Sequence, residues 1–194
     1  ANLTALMKDL KTKGTFVPKP LRRKWIAKDA SQTKFRPLGI PAVRDRVAQE
    51  VIRRLLEPIF EPLFHDSSFG FRPKRNCHRA IERVLEHHEA GHSIVLDADI
   101  SGFFDNIPHK LIVQAVAQEV ADGNILNLIE RFLAAGVMEN GVFSPTSIGT
   151  PQGGVISPLL ANIVLNKLDW QLEQAGYRFV PVSYTHLTLP TNRE

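Results

Sequence analysis

The stretch IVLDADISGFFDNIP, which runs from Ile94 to Pro108, sets three aspartates around a short apolar run. Its apolar start has the composition of a buried strand, and strand alternation places Asp97 and Asp99 on one face. Asp99 stands near the end of that strand, before a Ser-Gly pair where the backbone can turn. A carboxylate there, beside an exposed carbonyl, suits Mg²⁺, which prefers hard oxygen ligands. An aspartate that caps the following turn is the alternative, and this stretch alone favours it.

The composition is that of an ordinary folded protein. The chain has 194 residues, of which 43% are hydrophobic and 23% charged, and this length suits one domain or one and a half. No apolar run approaches the roughly 18 residues of a membrane span, and the first residues lack the pattern of a signal peptide. The one cysteine excludes an internal disulfide. These features predict a cytoplasmic protein with no membrane partner.

The charges are unevenly distributed along the chain. Residues 1–54 hold fourteen Lys and Arg against four Asp and Glu, whereas the remaining 140 residues hold ten against sixteen. A basic first part indicates a polyanion partner, and an acidic remainder is compatible with metal ligands. A solvated basic surface explains the charge pattern equally well.

Hydrophobic periodicity and turn residues predict an α+β protein rather than a regular βαβ alternation. The first 20 residues are interpreted as an extended leading segment that ends in Pro-Lys-Pro. The elements predicted after it are two short strands within 21–41, helices at 44–64 and 77–91, a buried strand at 92–100, helices at 108–120 and 125–135, a hairpin at 137–144, a helix at 157–174 and a strand from 177.

Four multi-residue blocks carry a more specific signal than any single motif. They occur in the order TKFRPLGIPAVRDRVAQ (33–49), SSFGFRPKRNCHRAI (67–81), VLDADISGFFDNIPH (95–109) and GTPQGGVISPLLANIVLNKLD (149–169). Together they resemble the successive blocks of a reverse transcriptase, in particular the reverse transcriptase–maturases encoded by bacterial group II introns. The resemblance covers about residues 10–180, and four ordered blocks make it specific.

The resemblance implies a right-hand polymerase fold. Residues 1–92 would form the fingers, with contacts to template and triphosphate, and residues 93–180 an incomplete ferredoxin-like palm. The implied reaction is RNA-templated DNA synthesis, in which a primer 3′-OH attacks the α-phosphate of a nucleotide. The implied partners are an RNA template or intron RNA, a DNA primer and a deoxynucleoside triphosphate.

The resemblance also assigns the aspartates of the opening stretch. Asp99 matches the family's first catalytic aspartate, which binds two Mg²⁺ ions together with the backbone carbonyl of Ile100. Two such ions, roughly 3.5–4 Å apart, stabilise the attacking and leaving oxygens of a phosphoryl transfer. Asp97 and Asp105 match positions that are not metal ligands, so we interpret them as structural or supporting residues.

Five further residues match the family's nucleotide-binding positions. Lys28 and Arg36 match basic residues of the fingers that contact the triphosphate, whose charge they would neutralise. Phe104 matches the aromatic residue under the incoming sugar, where its ring would exclude a 2′-OH; core packing is its alternative role. Gln152 and Gly153 match the segment beside the nascent base pair, where glycine permits close backbone approach.

Two arginines are predicted to bind RNA. Arg72 belongs to the block FGFRP (69–73), which resembles a template-contacting segment, and is predicted to bind a phosphate. Arg22 is predicted to assist the triphosphate and RNA contacts, although a plain surface cation is nearly as good an interpretation.

The second carboxylate cluster of the family is not found in the sequence. Family members carry a Tyr-x-Asp-Asp turn after a strand that here begins GYRFV, yet no acidic residue occurs from Gln174 to Arg193. Residues 181–194, PVSYTHLTLPTNRE, contain a stretch that resembles the translation of a sequencing adapter. We therefore interpret this tail as non-native and expect the chain alone to be inactive.

The prediction for the parent protein is an RNA-directed DNA polymerase of a group II intron type mobile element, with an RNA-binding maturase role. One alternative is a splicing maturase that binds RNA without catalysis, mainly through the basic first 54 residues. Others are the retron, diversity-generating and CRISPR-associated reverse transcriptases, which share the core blocks.

Overall fold

The computed structural model describes residues 3–27, 31, 33–150, 153–182 and 185–189. Its helices are α1 Leu3–Lys11, α2 Val43–Phe60, α3 Cys77–Glu89, α4 Phe103–Asn106, α5 His109–Val116, α6 Gly123–Leu133 and α7 Ser157–Gln174, with a 3₁₀ turn at Glu61–Leu63. Its strands are β1 Leu21–Ala27, β2 Phe35–Ile40, β3 Leu96–Asp99, β4 Val137–Glu139, β5 Val142–Ser144, β6 Arg178–Val182 and β7 Thr185–Leu189. The predicted α+β class is confirmed.

The chain divides into two compact units. The first comprises Ala1–Leu56 and Phe104–Ser157, and the second comprises Glu57–Phe103 and Pro158–Glu194. Each unit therefore combines two separate stretches of sequence. The functional division into fingers at residues 1–92 and palm at 93–180 stays a prediction.

The first unit contains a four-stranded sheet in the order β2-β1-β4-β5. Strands β1 and β2 form an antiparallel hairpin, β1 runs parallel to β4, and β4 and β5 form the hairpin predicted from Asn140-Gly141. Apolar side chains of the surrounding helices are buried, and the rings of Phe16 and Phe132 meet edge to face at 5.6 Å. The apolar faces of α2, α5 and α6 contribute Ala48, Ile52, Leu56, Ile112, Val116, Leu128, Ile129 and Leu133 to the buried set.

Helix α1 lies in the segment that was predicted to be extended, so that prediction is wrong. Leu6 and Leu10 stand one helical turn apart and are 3% and 4% exposed. Their burial outweighs the weak intrinsic stability of a nine-residue helix. Tertiary packing therefore decides the structure of this segment.

The second unit contains a three-stranded antiparallel sheet in the order β3-β7-β6. Phe69, Ala80 and Val180 form a small buried cluster, which Val84 and Val182 extend. Strand β7 comes from the tail that we excluded from fold prediction, and it pairs on both sides. Because backbone pairing accepts many sequences, the non-native origin of residues 181–194 stays a prediction.

Strand β3 is exposed, and the prediction of a buried strand is wrong. Ile94, Val95 and Leu96 are at least half exposed, and all four residues of β3 are exposed. Strand β3 is an edge strand of its sheet and pairs only with β7 among the described residues. Apolar composition indicates that a strand can be buried but does not supply the surface that covers it.

None of the helices in the described ranges combines the length and apolarity that a membrane crossing requires.

Candidate functional site

The β1–β2 hairpin carries three cations on one face. Arg36 lies opposite Ile26 in the antiparallel register, and alternation places Arg22 and Lys24 on the same face as Ile26. All three cationic side chains are exposed, and none forms an ion pair or hydrogen bond with another residue of the described ranges. We call Arg22, Lys24 and Arg36 the cationic face. Lys24 was missed in the sequence, although it stands two residues after Arg22 in the same strand.

The opposite face of the hairpin is attached to strand β4. The indole Nε1 of Trp25 donates a hydrogen bond to Oε1 of Glu139 at 2.6 Å, and Arg23 forms an ion pair with Oε2 at 3.7 Å. The Arg23 guanidinium also lies 6.0 Å from the centre of the Trp25 ring. These contacts hold the hairpin to the sheet of the first unit and leave the cationic face outward.

A buried carboxylate fixes the segment that leads into β1. The amide of Lys19 donates to Oδ2 of Asp45 at 2.8 Å, while Oδ1 is buried without a hydrogen-bond partner among the described residues. Burial raises the pKa of Asp45, and the Lys19 amide and the nearby Arg44 charge oppose that shift. Asp45 therefore joins the start of α2 to the base of the hairpin.

The loop that contains Gly153 lies directly against strand β2. A Cβ at Gly153 would stand 2.5 Å from the carbonyl oxygen of Gly39 and 2.8 Å from Leu38, and φ of Gly153 is +104°. Only glycine permits this approach. Further along, the amide of Val155 donates to the buried Gln49 side chain at 2.8 Å. The loop is thus tied to the strand that carries Arg36.

Gly149 and Thr150, at the start of the same loop, contact helix α4, which carries the half-buried Phe104. The amide of Thr150 donates to the Phe104 carbonyl at 2.6 Å, and the amide of Gly149 donates to the Ile107 carbonyl at 2.8 Å. A Cβ at Gly149 would stand 2.7 Å from the carbonyl oxygen of Asp105, so glycine is required here too. The loop backbone therefore determines where α4 lies.

Side-chain hydrogen bonds also hold Gly149 and Thr150 in place. The hydroxyl of Thr150 donates to the hydroxyl of Ser157 at 2.7 Å, and the two residues are 1% and 2% exposed. His109 Nε2 donates to the Gly149 carbonyl at 2.8 Å, since a carbonyl can only accept. Next to this loop lies a pocket of about 290 Å³, whose polar lining includes Arg23, Asp105, Thr146 and Thr150. The first unit thus brings together the hairpin, Gly153 and Phe104.

Asp99 lies in the second unit, at the end of β3, and its side chain is exposed. Its Cα is paired with that of Thr185. The Ile100 carbonyl accepts a hydrogen bond from the Phe103 amide at 3.2 Å, and Gly102 turns the chain with φ of +59°. Asp97, two residues earlier, is exposed as well.

The oxygen donors of Asp99 and Ile100 fit a hard divalent cation. No group of three or more His, Cys, Asp or Glu side chains that would hold a metal occurs in the described part of the chain. Because Mg²⁺ sites in phosphoryl-transfer enzymes use one or two carboxylates plus waters and substrate phosphates, Asp99 supplies only part of such a site.

Two predicted nucleotide contacts, Lys28 and Gln152, lie outside the described residues. Their roles stay predictions. Arg22, Arg36, Phe104 and Gly153 belong to the first unit, whereas Asp99, Ile100 and Arg72 belong to the second.

Arg72 is buried, with a side chain only 3% exposed. Its guanidinium forms an ion pair with Glu61 at 2.8 Å and donates to the carbonyls of His65 at 2.7 Å and Ser68 at 2.9 Å. It also lies 5.2 Å from the centre of the Phe64 ring. Arg72 therefore organises the 61–72 segment, and we leave it out of the proposed RNA contacts.

The chain belongs to the reverse transcriptase (RNA-dependent DNA polymerase) family, whose family model matches residues 19–185. It is 44% identical over 181 residues to the group II intron-encoded protein LtrA of Lactococcus lactis subsp. cremoris, which covers 93% of this chain and 30% of the relative. It is 42% identical to protein YkfC of Escherichia coli K12, over 87% of this chain and 45% of the relative. The predicted group II intron resemblance is confirmed.

More distant relatives and solved structures agree with the fold. The putative COX1/OXI3 intron 2 protein of Saccharomyces cerevisiae is 35% identical over 88% of this chain and 20% of its own length. A chain of the partial Cas6-RT-Cas1–Cas2 complex superposes with a TM-score of 0.58 at 20% identity, over 99% of this chain and 33% of that chain. Telomerase from Candida albicans superposes with a TM-score of 0.66 at 11% identity, over 90% of this chain and 38% of the telomerase chain. The chain spans less than half the length of each of these proteins.

Proposed function

We propose that this chain supplies part of the catalytic core of a group II intron type reverse transcriptase, which copies RNA into DNA. One observation carries the proposal most directly. Gly153 lies against the strand that carries Arg36, and Gly149 and Thr150 contact the helix that carries Phe104. A triphosphate-binding cation and a sugar-contacting ring would then lie in the same compact unit.

The cationic face would bind the triphosphate of the incoming nucleotide. Guanidinium and ammonium groups neutralise phosphate charge and stabilise the charge that develops on the leaving pyrophosphate. Arg36 and Lys24 are exposed cations on this face, and Lys28 follows Lys24 by four positions in the sequence. Arg22, at the base of the face, would extend the contact toward RNA.

Phe104 would lie under the sugar of the incoming nucleotide. A ring held there by a fixed backbone excludes the extra 2′-OH of a ribonucleotide and so selects deoxynucleotides. The Thr150 amide and the close approach of Gly149 fix the α4 backbone from which this ring extends.

Asp99 and the Ile100 carbonyl would hold Mg²⁺ with ligands from outside the described residues. When bound, the metal neutralises developing charge on the phosphate oxygens and activates the primer hydroxyl. Asp99 lies at the end of β3, and Gly102 turns the backbone shortly after it. Two Mg²⁺ ions, an RNA template or intron RNA, a DNA primer and a cytoplasmic location remain parts of this proposal.

A graft would test the proposal. Residues 19–180 would replace the aligned segment of the Lactococcus lactis relative, which supplies the remaining parts of the enzyme. We expect the graft to extend a DNA primer on an RNA template in a Mg²⁺-dependent reaction. The 194-residue chain alone should not extend it. A graft that is folded and monodisperse, yet extends no primer while the unmodified relative does, would contradict the proposed function.

A further inference from the structure

The second unit carries a basic groove that contains none of the individual site residues predicted from the sequence, although Phe69 and Pro73 of the FGFRP block line one side of it. An open depression of about 550 Å³ is lined by Glu61, Asp66, Phe69, Pro73, Lys74, Arg75, Arg79 and Arg83. Asp66 and Arg83 also line an adjoining pocket of about 180 Å³, together with His87, Trp170, Tyr177 and Arg178 among others. The two depressions therefore form one continuous feature, which we call the α3 groove.

Both carboxylates that line the larger depression form ion pairs with arginines of the second unit. Glu61 is paired with the buried Arg72 at 2.8 Å, and Asp66 is paired with Arg75 at 3.1 Å. In the adjoining pocket, Glu173 lies 3.2 Å from His65 Nε2. These pairings engage the three carboxylates with partners other than Lys74, Arg79 and Arg178.

Three cations of the groove have no carboxylate partner in the described ranges: Lys74, Arg79 and Arg178. Arg79 is oriented by a hydrogen bond from Nη1 to the Lys74 carbonyl at 3.0 Å. Arg83 stands one helical turn after Arg79 on the same face of α3, and its ion pair with Glu86 is solvent-exposed on both sides. A row of like charges without partners favours a polyanion.

Positive charge also accumulates around His87, which lines the smaller of the two depressions. Burial lowers the pKa of His87, and the charges of Arg83 and Arg178 lower it further. The ring nitrogen Nε2 is buried and has no hydrogen-bond partner among the described residues. Arg83 and Arg178 line the same small pocket as His87, which places two cations around one space where an anion can bind.

Two exposed aromatic side chains line the far end of the groove. Trp170 is 42% exposed and Tyr177 is 43% exposed. The Trp170 indole donates to the Leu63 carbonyl at 3.1 Å, and its ring packs edge to face on His65 at 5.0 Å, so it is held in place. Cations beside exposed rings are the combination by which proteins bind unpaired nucleic acid, since bases stack on the rings.

We propose that the α3 groove binds an unpaired segment of RNA, with phosphates on Arg79, Arg83 and Arg178 and a base on Tyr177. The inference rests on the proposed function for the identity of the nucleic acid. It places an RNA contact in the acidic remainder of the sequence, which follows the basic first 54 residues.

The test is the binding of a labelled 20-nucleotide oligouridylate to the purified chain, measured by fluorescence anisotropy at several salt concentrations. The variant Arg79→Gln/Arg83→Gln/Arg178→Gln should bind at least about tenfold more weakly, and the slope of log Kd against log salt should fall by about 2, near 0.7 per lost phosphate. The matched control Lys167→Gln removes an exposed cation outside the groove and should change Kd less than twofold.

Aromatic stacking has its own pair of variants. Tyr177→Ala should weaken oligouridylate binding by about fivefold or more, as expected for one lost stacked base. Phe71→Ala removes a 63% exposed ring of the same unit that does not line the groove, and binding should be unchanged. A 20-base-pair RNA duplex should show no dependence on Tyr177, because its bases are already stacked.

The binding assay is repeated with Arg22→Gln/Lys24→Gln/Arg36→Gln as background, so that RNA held by the cationic face does not conceal the groove. If the triple groove variant fails to fold, Arg79→Gln and Arg178→Gln are measured singly. Each should lower the slope of log Kd against log salt by about a third of the change expected for the triple variant. Unchanged affinity and slope, or a wild-type chain that binds no oligouridylate, would overturn the proposal. The two proposals can fail separately. If the groove variants weaken oligouridylate binding but the graft extends no primer, the proposal for the α3 groove is supported and the proposed polymerase function is contradicted.

Discussion

The amide of Thr150 donates a hydrogen bond to the carbonyl of Phe104 at 2.6 Å, which joins the loop before α7 to the short helix α4. The contact is made by backbone atoms only, so it survives any change of the Phe104 ring. Gly149 approaches the same helix so closely that a side chain has no room. The backbone position of Phe104 is therefore set by residues about forty-five positions later in the chain.

Replacement of Gly149 by alanine should destabilise the first unit strongly. Its φ is +85° and the new Cβ would stand 2.7 Å from a backbone oxygen, which together should cost about 3 kcal/mol or more. Gly141→Ala is the matched control, because φ there is +82° with nothing within 4 Å, and it should cost only about 1–2 kcal/mol. Urea unfolding followed by Trp25 fluorescence in a Trp170→Phe background measures both. Equal losses would show that the close approach has no energetic effect.

The buried hydroxyl pair should show measurable coupling. Thr150→Val keeps the side-chain shape but removes the donor to Ser157, which leaves a buried hydroxyl less satisfied. We expect each single change to cost about 1–2 kcal/mol and the coupling energy with Ser157→Ala to be about 1 kcal/mol. Thr150→Ser should retain most of the stability. A coupling energy near zero would mean that the hydroxyls do not act as a pair.

Substitution of Arg72 should destabilise the protein far more than substitution of an exposed arginine that also pairs with a glutamate. Arg72→Lys loses the forked contact with Glu61 and the donors to two carbonyls, so we expect a loss of about 2–4 kcal/mol in the free energy of unfolding. Arg54, whose side chain is 74% exposed, pairs with Glu50, and Arg54→Lys should change stability by about 0.5 kcal/mol at most. Trp170 fluorescence in a Trp25→Phe background reports on the second unit. Similar effects of both changes would argue against the structural role of Arg72.

Glu50 should make stability depend on acid pH. Hydrogen bonds from Arg53 and then Arg54 lower its pKa from 4.5 to about 2. A folded-state pKa below the unfolded value stabilises the protein above pH 4.5, and this contribution is lost as the pH falls from about 4.5 toward 2. Wild type should therefore exceed Glu50→Gln in unfolding free energy at pH 6 and converge with it near pH 2. A difference that does not change with pH would exclude this linkage.

Local patterns predicted most of the elements, because a hairpin or an amphipathic helix is encoded by neighbouring residues. The β1–β2 and β4–β5 hairpins and helices α2, α3, α6 and α7 lie where periodicity and turn residues placed them. Long-range packing decides the rest. Helix α1 is stabilised by the burial of Leu6 and Leu10, whereas β3 is exposed because no described element covers it.

The candidate site was predicted less completely than the fold. Phe104, Gly153 and Arg36 were found through family blocks, but Gly149 and Thr150 take their importance from contacts with a helix distant in sequence. Arg72 appeared as an available cation, since a sequence does not state whether an arginine is buried. The sequence offered one signal for Lys24: side chains alternate along a strand, so a residue two positions after Arg22 lies on the same face.

The most direct test of the account compares two aspartates of the opening stretch in the grafted enzyme. Asp99→Asn and Asp97→Asn each remove one exposed carboxylate from β3, and only the first is proposed to bind Mg²⁺. The rate of Mg²⁺-dependent primer extension on an RNA template should fall at least about a thousandfold for Asp99→Asn, near 4 kcal/mol of transition-state stabilisation, and less than about threefold for Asp97→Asn. Equal rates for the two variants, or undiminished extension by Asp99→Asn, would contradict the central claim.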